Sequence, residues 1–298
     1  MSKPKFTIFT PCYNSSPFIK RVFKSLNHQT FKDFEWYVIN DASTDNTSEL
    51  ITDYIKTVDF PVVFEDLEEN QGLHKNINQA IKNANGEYLV LYGHDDEITS
   101  DALQVFNDVL SKYNDPAIGS VYALAKDQNG KLVGKKYPKD EMISTYWEQF
   151  YDNDNEAEKF QCFNTNYLRE IYPLPTGEFN EQTGGWLWGK FGMRYKSIFV
   201  NRILRTYYTN VDTQITANTK RDTKSRMIFN YHVVWVNEFQ YHVKNKKRKY
   251  RGIAACVSHG LLAGLSLSQI LSFIEKRRNK LICLFMYPIA LAYNSKHK

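Results

Sequence analysis

The stretch Tyr88-Leu89-Val90-Leu91-Tyr92-Gly93-His94-Asp95-Asp96 joins a strongly apolar segment directly to two carboxylates. An apolar run of this length and composition predicts a buried strand. Three similar segments precede it, at 6–10, 35–40 and 62–64, and each is followed by a segment in which apolar residues recur with helical spacing. Four strand-then-helix units within about 100 residues predict an α/β domain with a mostly parallel sheet that is covered on both faces.

Polar residues follow three of these predicted strands where each strand ends, in segments 12–16, 41–47 and 93–97. Because ligands of such sheets bind beyond the carboxyl ends of the strands, we expect one shared site at this edge. Asp41 is placed to accept a hydrogen bond from a base or ribose, or alternatively to cap the helix that follows it. Lys75 and Asn76, near the start of the third helix, are placed to meet a phosphate.

The adjacent carboxylates Asp95 and Asp96 suit a hard divalent cation, because such ions prefer oxygen ligands. Two protein carboxylates do not saturate Mg²⁺ or Mn²⁺, so water and a substrate diphosphate would complete the coordination. A solvated turn or a helix cap is the alternative for the same two residues. Taken by themselves, they leave both interpretations open.

Four linked motifs resemble, in order and spacing, those of the family 2 glycosyltransferases. They are Thr10-Pro11-Cys12-Tyr13-Asn14, Asn40-Asp41-Ala42-Ser43-Thr44-Asp45, Asn70-Gln71-Gly72 with Lys75-Asn76, and Gly86-Glu87-Tyr88 leading to Asp95-Asp96. The resemblance covers about the first 100 residues closely. It implies a fold of the GT-A type, a Rossmann-like sheet flanked by helices that binds a nucleotide-diphospho-sugar.

The resemblance also implies roles for single residues. The pocket for the base and ribose would be lined by Thr10, Pro11, Tyr13 and Asp41, and Lys75 would approach the nucleotide. Asp95 and Asp96 align with the family's Asp-X-Asp-type metal motif, with Asp96 as the direct ligand of Mg²⁺ or Mn²⁺ and Asp95 nearer the ribose. Gly93-His94 stands where relatives often have Asp-Ser, so one carboxylate of the motif is missing, and His94 would contact the metal ligands from behind or not at all.

An inverting transfer also needs a base, since a carboxylate must take the proton of the acceptor hydroxyl as that hydroxyl attacks the anomeric carbon. The segment 177–186 resembles the family's later acidic motif, which precedes a Trp-bearing helix. We predict Glu181 as the base and Glu178 as its substitute, although strict spacing from Trp186 places the acid at Gln182. A solvated loop carboxylate is the alternative for either glutamate.

The segment 202–208 resembles the strand that closes the acceptor side in relatives. Tyr207 or Tyr208 would stack on a sugar ring, or would belong to the aromatic core at the sheet edge. We therefore predict a catalytic domain at 1–215, with a nucleotide-sugar-binding half at 1–100 and an acceptor-side half at 101–215.

Charge is distributed unevenly along the chain: residues 1–215 carry 22 Lys or Arg against 30 Asp or Glu, whereas 216–298 carry 16 against 3. The basic part contains two apolar helical segments, 252–274 and 281–293, and the second is shorter than the roughly 20 residues of a membrane-spanning helix. We predict that 216–298 is a helical extension that associates with an anionic membrane surface. A buried core helix with solvated basic ends is the alternative.

Several classes of protein and location are disfavoured. An acidic catalytic part, and a basic run at 244–249 without a stacking motif, argue against nucleic acid as a partner. The four cysteines lie far apart, which predicts free thiols in a reducing compartment. The strand predicted at 6–10 leaves no room for a secretory segment before it. We expect a cytoplasmic protein that is peripheral on the cytoplasmic face of the membrane.

The predicted function is inverting transfer of a hexosyl or N-acetylhexosaminyl group from a UDP-sugar to a glycan or lipid-linked acceptor in cell-surface polysaccharide biosynthesis. A nucleotidyltransferase is one rival, but a Gly-rich phosphate loop would then follow the first strand, and residues 10–16 contain no glycine. A non-catalytic scaffold that binds sugar nucleotides and keeps the fold is the other, and Gly93 in the acidic motif supports it.

Overall fold

The computed structural model of the chain describes residues 3–176, 185–209 and 221–296. The chain divides into two compact units, and the first comprises Met1–Thr145, Asn155–Pro173 and Arg194–Gln214. The second comprises Tyr146–Asp154, Leu174–Met193 and Ile215–Lys298. The sequence predicted a continuous domain at 1–215, whereas two aromatic segments from that range belong to the second unit.

The first unit is built on one sheet that has ten strands within the described residues, with the path β3-β2-β1-β4-β9-β6-β10-β5, β7 paired to β6 and β8 paired to β10. The strands are β1 (Phe6–Cys12), β2 (Phe34–Asn40), β3 (Val62–Asp66), β4 (Tyr88–Leu91), β5 (Glu97–Ile98), β6 (Ile118–Asp127), β7 (Leu132–Val133), β8 (Met142–Ser144), β9 (Lys159–Asn164) and β10 (Lys196–Tyr207). The helices of this unit are α1 (Ile19–Asn27), α2 (Thr47–Ile55), α3 (Leu73–Asn83), α4 (Ala102–Lys112) and α5 (Thr165–Arg169).

Strands β3, β2, β1 and β4 are parallel neighbours, as the alternation of strand and helix predicted. All seven residues of β2 are buried, which explains why its sequence is nearly continuous in apolar residues rather than alternating. Beyond β4 the sheet becomes mixed, because β9 pairs antiparallel with both β4 and β6. The α/β fold class is confirmed, and its parallel half carries the predicted nucleotide motifs.

Strand β1 continues through Pro11, although the sequence predicted that this proline would stop it. Strand β4 pairs with β1 only as far as Phe9 opposite Leu91. Because backbone groups alternate sides along a strand, the missing N–H of Pro11 faces the side where this pairing has already ended. The proline therefore removes no hydrogen bond, and β1 carries its last residues to the edge of the sheet.

The second unit is helical in its C-terminal region, as predicted. Its helices are α6 (Gly185–Gly192), α7 (Arg221–Asn237), α8 (Lys246–Leu262), α9 (Leu267–Ser272) and α10 (Arg277–Lys296), with a π-helical turn at Glu148–Asp152 and a 3-10 turn at Phe239–His242. The continuous helix predicted at 252–274 is wrong, since Gly264 has a φ of 78° and Ser266 opens α9 with a capping box. Helix α10 runs through Pro288, and none of the described helices is long and apolar enough to cross a membrane.

Candidate active site

The loops after β1 and β2 are joined to each other by hydrogen bonds at the carboxyl edge of the sheet. The backbone N–H of Asn14 donates to Ser43 Oγ at 2.9 Å, and the N–H of Thr44 donates to Asn14 Oδ1 at 2.9 Å. The N–H of Ser15 donates to Thr47 Oγ1 at 2.8 Å. These contacts fix two of the predicted nucleotide-binding loops before any ligand arrives.

The first loop presents some of its predicted ligand residues and hides others. The ring of Tyr13 is 45% exposed and therefore open to a base. Thr10 is fully buried, and its hydroxyl accepts a hydrogen bond from Trp36 Nε1 at 3.1 Å. Successive side chains of a strand point to opposite faces of the sheet, and Thr10 points to the buried face. Its side chain thus packs beneath the loop and does not line the open surface of that loop.

Asp41 holds the loop between β3 and α3, which we call the third loop, instead of capping the helix that follows Asp41. Its Oδ1 accepts from the N–H of Gln71 at 2.7 Å, and its Oδ2 accepts from the N–H of Gly72 at 2.9 Å. Gly72 has a φ of 85°, a conformation that favours glycine, and it immediately precedes α3. Asp41 therefore sets the direction in which α3 begins.

Two polar residues in the first turn of α3 face different environments. Lys75 is exposed, as a residue that approaches a free nucleotide must be. Asn76 is buried, and its Oδ1 accepts no hydrogen bond from the described residues. Buried amide oxygens normally have a partner, so this atom is available to a donor group from a ligand or water.

Asp96 is completely buried and forms an ion pair that the sequence did not predict. Its Oδ2 accepts from Arg205 Nη2 at 2.5 Å and Nε at 2.8 Å, and its Oδ1 accepts from the N–H of Tyr208 at 3.1 Å. Burial raises the pKa of Asp96 to about 6, while the Arg205 guanidinium opposes that rise. The assignment of Asp96 as direct metal ligand stays a prediction, and most of its hydrogen-bonding capacity is already used.

Asp95 differs from its neighbour, because its carboxylate has no hydrogen bond or ion pair with the described residues. Only its backbone is held: the carbonyl oxygen accepts from Arg21 Nη1 at 2.8 Å. A Cβ at Gly93 would lie 3.0 Å from Asp95 Oδ1 and 3.2 Å from Asp96 Oδ2. Glycine at this position thus keeps open a small space that both carboxylates border.

His94 connects this acidic motif to the first loop. Its Nδ1 lies 3.1 Å from the carbonyl oxygen of Pro11, which can only accept, so Nδ1 carries the proton. Its Nε2 therefore bears the lone pair, and this buried atom has no partner among the described residues. Burial lowers the pKa of His94, although Asp95 nearby acts in the opposite direction. A neutral imidazole with a free acceptor nitrogen thus stands beside the two carboxylates.

The end of β10 closes on the same motif. The guanidinium carbon of Arg21 lies 3.8 Å from the ring centroid of Tyr208, and that of Arg205 lies 5.1 Å from the ring centroid of Tyr207. The predicted stacking of these tyrosines on a sugar stays a prediction. Sequence reasoning missed Arg205, which lies 109 residues from Asp96, and the only signal was the presence of two arginines, Arg202 and Arg205, late in the strand.

The proposed base lies outside the described residues, at Glu181 with Glu178 as its substitute. Trp186, the anchor of that motif match, is buried in α6 of the second unit. The base assignment therefore stays a prediction.

The family model described as "Glycosyl transferase family 2" matches residues 7–170, more than half of the chain. The chain belongs to glycosyl transferase family 2. All three loops and the acidic motif described above lie inside this match. The GalNAc(5)-diNAcBac-PP-undecaprenol beta-1,3-glucosyltransferase of Campylobacter jejuni is 27% identical to this family member over 209 residues, 68% of this chain and 64% of that protein. The chain spans less than two thirds of the length of the curated relatives it matches, from 20% to 64% for three of them.

Solved structures share the fold. TarS of S. aureus in complex with UDP-GlcNAc superposes with a TM-score of 0.65 at 15% identity, over 99% of this chain and 92% of that one. The mannosyltransferase PcManGT from Pyrobaculum calidifontis in complex with GDP-Man and Mn2+ gives 0.56 at 16% identity, over 98% and 87%. Likeness at this identity concerns the fold alone, and it confirms the predicted GT-A architecture.

Proposed function

We propose that this family 2 member is an inverting glycosyltransferase that moves a sugar from a UDP-sugar to a glycan or lipid-linked acceptor in cell-surface polysaccharide biosynthesis. One arrangement carries the proposal: the unengaged carboxylate of Asp95 stands beside the buried pair of Asp96 and Arg205, at an edge where preformed loops converge. The relative that acts on an undecaprenol-linked glycan supports the acceptor class.

The donor would lie across the joined loops. Tyr13 would stack on the base, Pro11 and Asp41 would border the base and ribose, and Lys75 would offset the charge of the diphosphate. A hexosyl or N-acetylhexosaminyl donor is proposed, because the named neighbours include a glucosyltransferase and a complex with UDP-GlcNAc. The complex with GDP-Man makes GDP-sugars the competing donor class.

The residues of the acidic motif fit a divalent cation. The space at Gly93 is bordered by oxygens of Asp95 and Asp96, and carboxylate oxygens are the ligands that Mg²⁺ and Mn²⁺ prefer. The described residues contain no group of three or more His, Cys, Asp or Glu that could hold a metal, so the diphosphate must supply part of the coordination. Held by Asp95 and Asp96, Mg²⁺ or Mn²⁺ would neutralise charge on the departing nucleoside diphosphate.

The protein's own groups would carry the remaining steps. Arg205 keeps the carboxylate of Asp96 in one position, so that the site is organised before the donor enters. Glu181, or Glu178 in its place, would take the proton of the acceptor hydroxyl. The acceptor oxygen then bonds to the anomeric carbon while the bond from that carbon to the diphosphate breaks, which inverts the configuration in a single displacement.

The C-terminal region at 216–298 is proposed to hold the protein on the cytoplasmic face of the membrane. Leu281, Phe285, Ile289 and Tyr293 recur every fourth residue along α10 and are all exposed, with Phe285 at 72%. An apolar stripe on a helix that begins in a basic segment is typical of interfacial helices. This exposure favours the interfacial interpretation over a buried core helix.

A non-catalytic scaffold is the second candidate, because Gly93 removes one carboxylate that the motif usually carries. UDP release from UDP-sugars in the presence of Mn²⁺ separates the two functions. We expect Asp95→Asn to lower this release about 100-fold or more, since it removes a group that acts on transition-state charge. Asp53→Asn, which changes a carboxylate that is 77% exposed on α2, is the matched control and should keep full activity. Binding of a UDP-sugar without any UDP release in the unaltered protein would favour the scaffold.

A further inference from the structure

A cavity of about 500 Å³ lies in the second unit, and none of the residues that line it is a residue of the proposed transfer site. Four of its ten lining residues are cations, Lys246, Lys249, Lys276 and Arg278, and none is acidic. We call these four side chains and the space between them the basic pocket. None of the four forms an ion pair with an acidic residue in the described part of the chain.

The basic pocket lies where two helices begin. Helix α8 starts at Lys246 and α10 starts at Arg277, and neither has an acidic residue in its first turn. Helix N-termini carry partial positive charge and normally attract acidic residues. Cations concentrated at two such ends repel each other and the helix dipoles, and a bound anion would remove that repulsion.

Neighbouring groups contact one of the four cations, Lys276, and hold the start of α10. Lys276 Nζ lies 4.0 Å from the ring centroid of Tyr241, and the Tyr241 hydroxyl accepts from Asn279 Nδ2 at 3.0 Å. Asn279 is buried and also donates to the carbonyl oxygen of Val236 at 2.9 Å. The start of α10 is thereby fixed to the end of α7, so the helix that carries Arg278 has a set position in the pocket wall.

We propose that the basic pocket binds the phosphate group of an anionic membrane lipid. Four unpaired cations suit a ligand with more than one negative charge, such as a phosphomonoester or diphosphate. The exposed stripe of α10 begins at Leu281, three residues after Arg278 and so about one helical turn along α10, and a phosphate in the pocket would therefore bring acyl chains against apolar side chains. A nucleic acid would supply the phosphate but would leave that stripe in water. The choice of lipid as the source rests on the proposed membrane association, whereas phosphate recognition does not.

The test compares two charge-matched double variants of the full chain. Lys246→Gln with Lys276→Gln removes two pocket cations, and Lys247→Gln with Arg277→Gln removes two exposed neighbours that do not line the pocket. Sedimentation is measured with phosphatidylcholine vesicles that contain phosphatidic acid. We expect the pocket variant to bind about tenfold or more weakly, and the control variant less than threefold. Circular dichroism checks that both fold.

If both variants lose the same amount of vesicle affinity, the proposal is wrong, because diffuse positive charge would then explain binding. If neither variant loses vesicle affinity, the proposal is also wrong. Titration with inorganic pyrophosphate tests whether a lipid supplies the phosphate. If the protein binds pyrophosphate but does not bind vesicles, the pocket is a phosphate site, and the proposal that its ligand is a lipid is wrong. Tighter binding to an RNA oligonucleotide than to vesicles would also show that the lipid assignment is wrong. UDP release from a soluble UDP-sugar should be unchanged in the pocket variant, so failure of this proposal and failure of the proposed transfer are distinguishable.

Discussion

Replacing Arg205 with methionine tests the buried ion pair beneath the acidic motif. The change removes both contacts from the guanidinium to Asp96 and leaves only the hydrogen bond from the N–H of Tyr208. The side chain of Asp96 is 1% exposed and methionine donates no hydrogen bond, so the variant leaves this carboxylate buried without its ion-pair partner. Removing one partner of a buried ion pair costs about 3–5 kcal/mol, and we expect a loss of that size in the free energy of unfolding of the first unit.

Arg202→Met on the same strand is the matched control. The side chain of Arg202 is 57% exposed and lies 3.5 Å from Asp101, so its loss should cost about 0–1 kcal/mol. Hydrogen exchange at the amides of β1 and β2 measures the free energy of unfolding of the first unit by itself, and urea denaturation measures that of the whole chain. The double variant Asp96→Asn with Arg205→Met should recover part of the loss, because no charge is then left buried alone.

Equal costs for Arg205→Met and Arg202→Met would refute this reasoning. The pair would then contribute no more to the free energy of unfolding than a surface contact does.

Three further predictions concern a close approach, a partly buried histidine of α7 and the open space at the acidic motif. Gly252→Ala should lower stability by about 1–3 kcal/mol, since its Cβ would lie 1.9 Å from Trp235 Nε1; an unchanged Tm would contradict this packing. Burial lowers the pKa of His232 to about 4, so between pH 6.5 and pH 4 the unfolded chain binds a proton at this residue more readily than the folded chain does. The free energy of unfolding should therefore fall by up to about 3 kcal/mol as the pH is lowered from above 6.5 to 4. His232→Gln should remove that loss in urea denaturation at the two pH values, His28→Gln should keep it, and the same acid sensitivity in both variants would exclude His232 as the cause. Gly93→Ala should weaken metal-dependent binding of a UDP-sugar about tenfold in calorimetry, because the methyl group fills the space between two carboxylates, and unchanged affinity would place the metal elsewhere.

The parallel half of the sheet was predictable because local patterns determine it. The apolar runs at 35–40 and 88–92 are followed by polar segments, and strands β2 and β4 end within one residue of where the runs end. The split after α8 was also readable in principle, since Gly264 is followed by Ser266 and Gln269, the residues of a capping box. The high apolar content of residues 252–274 led instead to the prediction of one continuous helical segment.

Other features depend on contacts between distant parts of the chain. Arg205 reaches Asp96 across 109 residues, and no periodicity links them. The same holds for Thr10, whose hydroxyl is taken by Trp36 of the neighbouring strand. Asp41 was predicted at the site, but its bonds to the third loop depend on the positive φ of Gly72. Pairing between loops therefore requires the three-dimensional structure.

Calorimetric titration with UDP-, GDP-, CMP- and dTDP-linked sugars, each with Mn²⁺ and with a chelator, tests the central claim most directly. We predict that the unaltered protein and Asp53→Asn bind a UDP-sugar only with Mn²⁺, and that Asp95→Asn does not bind it. Equal binding of a donor by Asp95→Asn and the unaltered protein, or binding that survives the chelator, would contradict a metal-dependent transferase built on this acidic motif.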